Sequence, residues 1–157
     1  MIALSAMALA LQATGDGREP LGIYQSWGAF RETSPLRCYA IAEPVRAGQS
    51  GRPFVSIANW PQTGVRAQLH VRLSRARRDN AAVTLAIGER RFTLVAGATD
   101  AWAADPRTDA AIVAAMRGAR SMSVESVGAG GVAFADLYAL GGAATAIDAA
   151  GLGCTRR

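Results

Sequence analysis

Ala82-Val83-Thr84-Leu85-Ala86-Ile87-Gly88-Glu89-Arg90-Arg91-Phe92-Thr93-Leu94-Val95 alternates apolar and polar side chains on both sides of a Gly-first turn. A two-residue Gly88-Glu89 connection suits a type II′ turn, whose twist matches that of paired strands. Pairing outward from it sets Leu85 opposite Phe92 and Val83 opposite Leu94, with Thr84 opposite Thr93 on the other face. A slip of one residue would turn the whole apolar set to the wrong side, so turn and pattern choose the same register. The middle of the chain is therefore expected to be an antiparallel hairpin with one buried face.

The same period of two continues outward. Val65 to Ser74 sets Val65, Ala67, Leu69, Val71 and Leu73 on one face and Arg66, Gln68, His70 and Arg72 on the other, the pattern of a half-buried antiparallel strand. Phe54 to Trp60, closed by Pro61, and Leu36 to Ala42, closed by Pro44 and the loop from Gly48 to Pro53, read as two earlier strands. Beyond the hairpin, strands are expected at Thr99 to Ala103, Ser121 to Val127 and Val132 to Tyr138, the last two joined by Gly128 to Gly131. Two segments read as helix. Asp105-Pro106 supplies an N-cap and a proline at the first helical position, and Gly118 ends Asp109 to Arg117, with Ile112 and Met116 on one apolar face. Gly142 to Ala150 is Ala-rich, stops at Gly151 and turns Ile147 inward. The fold class is mainly β: a β-sandwich or flattened antiparallel barrel with one short helix between strands and a short C-terminal helix.

At the N-terminus, Ile2 to Leu11 is apolar and small, and Ala8, Ala10 and Ala13 are placed for cleavage ahead of a polar run from Thr14 to Pro20. This is the pattern of a signal peptide over 1–13, without a basic region before it, and it is too short for the roughly 20 residues that span a bilayer. A linker over 14–22 and a single β-rich domain over 23–157 complete the organisation. All 17 basic residues are arginine and the net charge is +5, which favours anionic partners. The two cysteines, Cys38 and Cys154, form one disulfide if the chain is exported and remain two thiols in the cytosol.

Catalytic equipment is sparse. The one histidine, His70, lies mid-strand on the polar face and reads as solvated; no G-x-S-x-G elbow is present. One His and two distant Cys give no zinc-type spacing, so no metal and no cofactor are expected. Asp100 and Asp105 flank Trp102 as an acid pair beside an aromatic platform would, but Asp105 already serves as an N-cap. Gly128 to Gly131 lacks the GK[ST] ending of a phosphate loop. No catalytic residue is assigned. Arg66, Arg72, Arg75, Arg77 and Arg78, with Arg90 and Arg91 nearby, form a candidate anion-binding face, since guanidinium suits bidentate contact. The alternative is a solvated, charged strand that discourages edge-to-edge pairing.

From about residue 85 to 150 the chain resembles the invasion-associated locus B family of alphaproteobacterial envelope proteins. The residues that carry this are Arg91-Phe92-Thr93-Leu94, Ala101-Trp102, Thr108 through Gly118 with its Ala114-Ala115-Met116-Arg117-Gly118 end, Ser121-Met122-Ser123-Val124 and Asp136 through Ala144, with Trp27 and Cys38-Tyr39 near the front. The chain departs from the family at Gly142, where Phe is frequent, and in having fewer cysteines near the front. The resemblance implies an exported, non-catalytic interaction or structural protein, periplasmic or associated with the outer membrane. The alternative is a binding module for an anionic lipid or polysaccharide that uses an Arg-rich strand face. Nucleic acid is a poor partner for an exported chain, and no transmembrane span is expected.

Overall fold

The computed structural model describes residues 17–47 and 51–155, so the expected signal peptide over 1–13 lies outside the described residues. Ten strands are described: β1 (Arg18–Tyr24), β2 (Trp27–Thr33), β3 (Leu36–Ala42), β4 (Phe54–Trp60), β5 (Val65–Arg72), β6 (Val83–Ile87), β7 (Arg90–Ala96), β8 (Asp100–Trp102), β9 (Ser121–Val127) and β10 (Ala133–Ala139). Helix α1 (Pro106–Gly118) separates β8 from β9, and α2 (Ala143–Gly153) follows β10. The strands form one sheet in the order β1-β2-β3-β4-β5-β8-β7-β6-β9-β10, every neighbour antiparallel.

The hairpin register is the one the alternation requires. Leu85 pairs with Phe92, Val83 with Leu94 and Thr84 with Thr93, while Gly88 adopts φ 57° at the turn. Leu85 and Val83 are fully buried, but Phe92 is half-buried. Alternate residues of the strands converge on one cluster, from Trp27 and Ala40 through Ile57, Leu69 and Leu85 to Val124 and Tyr138. Ile112 and Met116 of α1, and Ala143, Ala146, Ile147 and Ala150 of α2, pack into the same cluster. The sheet therefore curls about its core and stays unclosed. Its far ends meet through Trp27, whose Nε1 donates to the Ala139 carbonyl at 2.9 Å, and through the Arg46–Leu137 bridge.

Three local readings change. The linker expected over 14–22 is in part a strand, because β1 starts at Arg18 and pairs Arg18 with Glu32 and Glu19 with Arg31. Its polar composition and Pro20 suit the edge of a sheet, where a missing amide costs no ladder bond. A bulge at Ala67 (φ 50°), whose amide donates to Asn59 Oδ1 at 3.0 Å, pairs Val65 with Trp60 and takes it off the face of Leu69. α2 runs past Gly151 to Gly153, where a Cβ would collide with Leu21 as the helix crosses β1. Gly142, the α2 N-cap, adopts φ 86°, and a Cβ there would strike the Tyr24 carbonyl, so the packing of α2 on the β1–β2 turn requires glycine at this position.

Because β8 has three residues, β5 outruns it, and α1 closes the gap: Asp109 Oδ1 accepts the Leu69 amide at 2.8 Å. Burial pushes the Asp109 carboxyl above its ordinary 3.8, outweighing the Leu69 amide, which favours the charged form. A carboxyl whose folded pKa is raised contributes stability at low pH that is lost as pH rises through the folded pKa. Asp109→Asn keeps the acceptor and removes the charge, so its unfolding free energy should gain on the native chain as pH climbs above 3.8. Asp109→Ala should cost about 1–3 kcal/mol, since it leaves the Leu69 amide unpaired. Urea melts at stepped pH check both; parallel pH profiles for native and Asn chains would remove the buried charge from the account.

Candidate functional site

The five arginines of the candidate anion-binding face lie on β5 and just past its end, where they meet different partners. Arg66 and Arg72 are exposed on β5, whereas Arg75, Arg77 and Arg78 lie beyond its end. Arg77 is a clamp: its Nε donates to Gly97 O at 2.6 Å, Nη1 to Ala81 O at 2.9 Å and Nη2 to Ala96 O at 2.8 Å. Arg75 is half-buried with its guanidinium 5.4 Å from the centre of the Phe134 ring. Arg78 is exposed. Arg91 pairs with Glu125 at 2.8 Å, and Arg90 lies over Phe92.

Arg72 instead belongs to a cluster on the outward face of β4, β5 and β8. His70 is packed rather than solvated: its ring stacks on Trp102 (5.3 Å, 4°) and meets Phe54 edge-on (5.1 Å, 86°). His70 Nε2 lies 2.8 Å from Asp100 Oδ1, to which Arg72 Nε also donates at 2.7 Å, while Thr99 Oγ1 donates to Oδ2 at 2.9 Å. Burial works to raise the Asp100 pKa, yet the bonds from Arg72, His70 and Thr99 hold the carboxyl below its usual range. Asp105 is committed elsewhere, accepting the Thr108 amide as the α1 N-cap at 2.8 Å. The acid pair flanking Trp102 thus divides into an ion-pair centre and a helix cap.

A second cluster, again a carboxylate with arginine and aromatic rings, stands on the same outward face. Glu32 of β2 accepts from Arg18 Nε at 3.3 Å, Arg37 Nη2 at 2.7 Å and the Tyr39 hydroxyl at 2.8 Å. Burial opposes ionisation of Glu32, but these bonds hold its pKa below the ordinary carboxyl value. Burial and the Glu32 bond push the Tyr39 hydroxyl up to about 12. Arg18 lies 5.6 Å from the centre of the Phe30 ring, and Arg37 lies 4.5 Å from that of Tyr39 and 5.1 Å from that of Trp60. Directly paired residues share a face of a sheet. The pairs Phe30–Tyr39, Tyr39–Ala58 and Ala58–Gln68, with Ser56–His70 and His70–Trp102, place both clusters on the side opposite the core.

Sequence alone does not show this second cluster, because the polar stretch around Arg18 reads as linker. The signal that finds it is the alternation Arg37, Tyr39, Ile41 on the outer side of an otherwise apolar strand. Among the described residues, no group of three or more His, Cys, Asp or Glu is placed to hold a metal ion. No helix among them is long and apolar enough to cross a membrane. At the other side of β3, Cys38 on the core face is bonded to Cys154 just past α2, with Cα atoms 5.7 Å apart at a sequence separation of 116.

These features define a mainly β protein, one curled antiparallel sheet pinned by a disulfide, with an outward face of arginines set on aromatic rings. No protein-family model matches the chain, and no curated protein matches its sequence. Among solved structures, the crystal structure of invasion associated protein B from Bartonella henselae superposes with a TM-score of 0.62 at 14% identity, over 86% of this chain and 98% of that one. The two share a fold.

Proposed function

We propose that the chain is an exported, non-catalytic interaction or structural protein of the bacterial envelope, of the invasion-associated locus B type, located in the periplasm or at the outer membrane. The observation that carries this reading is the Cys38–Cys154 disulfide, which uses both cysteines of the chain. Such bonds persist in oxidising compartments and are rare in the cytosol. The apolar Ile2 to Leu11 run and the fold shared with invasion associated protein B support the same compartment. Non-catalytic standing is supported by the surroundings of His70, whose hydrogen-bond partner is a carboxylate and whose ring lies between Trp102 and Phe54, with no hydroxyl or thiol nucleophile among the described residues bonded to it. Osmotic-shock fractionation of cells carrying the full chain tests the reading. Recovery with periplasmic or outer-membrane markers is expected; recovery with cytosolic markers would overturn it.

A further inference from the structure

The Cys38–Cys154 bond differs at its two ends. Cys38 is fully buried on the core face of β3, whereas Cys154 is half-buried and lines a cleft of about 350 Å³ between the end of α2 and the β4–β5 turn. Arg66, exposed on β5, lines the same cleft and adds positive charge where an incoming thiolate would arrive. Arg31 is the ladder partner of Cys38, and directly paired residues share a face of the sheet. Among the described residues no hydrogen bond engages its buried Nε, and its Nη1 meets Glu19 at 3.5 Å, a carboxylate that is 61% open to solvent. A guanidinium beside a cysteine favours the thiolate, and a sulfur that leaves as a stabilised thiolate leaves faster. Access therefore selects Cys154 as the sulfur attacked, and charge selects Cys38 as the one that leaves.

The helix end that carries Cys154 has little else to hold it. Beyond Ile147 the inward residues of α2 are Ala150 and Gly153, while Leu152 is 60% exposed. We propose that the bond is exchanged in the folded protein through Cys154, by a thiol or dithiol that enters the cleft, with Cys38 as the leaving sulfur, and that its opening loosens the last turn of α2. In the first step the incoming thiolate bonds to Cys154 Sγ, the S–S bond breaks, and its electron pair leaves on Cys38 Sγ as thiolate. A second thiolate then bonds to the sulfur of the first and releases Cys154. Two thiols become one disulfide, and their two protons end on Cys38 and Cys154. The inference goes beyond the envelope reading and does not rest on it.

The test uses the purified, disulfide-intact protein with reduced glutathione in native buffer, quenched in acid before the free thiols are capped and the protein is digested for mass spectrometry. Glutathione is expected on Cys154 and the cap on Cys38. The rate should stay level in urea well below the unfolding midpoint, whereas a reaction that needs global unfolding climbs steeply as urea lowers the unfolding free energy. Arg31→Gln should slow the reaction by about threefold or more, and Arg31→Lys, which keeps the charge, should hold it within about twofold of the native rate. After full reduction, hydrogen exchange should rise by about tenfold or more at the amides from Ala150 to Cys154 and stay level at Ile112 and Met116 of α1. The proposal is overturned by glutathione on Cys38 as often as on Cys154, by a rate that climbs with urea, by a Lys variant as slow as the Gln variant, or by unchanged exchange at the end of α2. If Arg31→Gln does not fold, the site that glutathione takes on the native chain still decides. Because isolated protein is used, the result stands or falls separately from fractionation: a cytosolic protein that exchanges through Cys154 defeats the envelope reading alone.

Discussion

Reducing the Cys38–Cys154 bond should lower the unfolding free energy by up to about 4–5 kcal/mol, the chain-entropy figure for a loop of this size. The bond closes 116 positions, so it removes a large set of open conformations from the unfolded chain. Strain and residual structure in the unfolded chain make that figure an upper one. The folded side explains why the bond matters here. The inward residues of α2 are mostly alanine (Ala143, Ala146, Ala150), each burying little apolar area, with Ile147 the one large side chain among them. Without the bond, a small apolar stripe would hold the C-terminal helix against β1 to β4. Urea melts with and without a reductant check this, and an unchanged midpoint would show that the helix is held by packing alone.

Leu85→Ala should cost about 2–5 kcal/mol, and Thr84→Ala less than about 1 kcal/mol. The two residues are neighbours on β6, so propensity and position hardly differ; the face does. Leu85 is fully buried in the core cluster, and its removal leaves a cavity lined by residues that pack too densely to close it. Thr84 is half-buried on the outer side, between Thr93 and Glu125. Phe92, although opposite Leu85, is itself half-buried, so Phe92→Ala should fall below the cost of Leu85→Ala. Equal losses at Leu85 and Thr84, read from chemical denaturation, would mean the register is off by one residue.

Legibility followed local signal strength. The hairpin, β3, β4, β9 and α1 combine strict alternation or a cap with a turn residue, and each lies where the sequence places it. β1 and β2 were hidden because the first is a polar edge strand containing Pro20, and because the turn between them is Gln25-Ser26, with Gln25 at φ 55° and no glycine. That a mainly β chain would form one curled sheet depends on β5 pairing with β8, a contact that periodicity cannot specify. The site was harder. Arg66, Arg72, Arg75, Arg77 and Arg78 are close in sequence but take different partners: Arg72 joins Asp100, Arg75 lies beside Phe134 and Arg77 is spent on backbone carbonyls. The outward clusters draw instead on β1, β2, β3, β4, β5 and β8, whose side chains become neighbours only when the strands pair. Cys38 and Cys154 were legible as a pair because only two cysteines exist to be joined.

The most direct measurement is the intact mass, after alkylation without reduction, of the protein released from cells by osmotic shock. Export and oxidation together predict a chain that begins between Leu11 and Thr14 and carries no alkyl group. Full-length chain found in the cytosol with both cysteines alkylated would contradict the envelope assignment and the disulfide together.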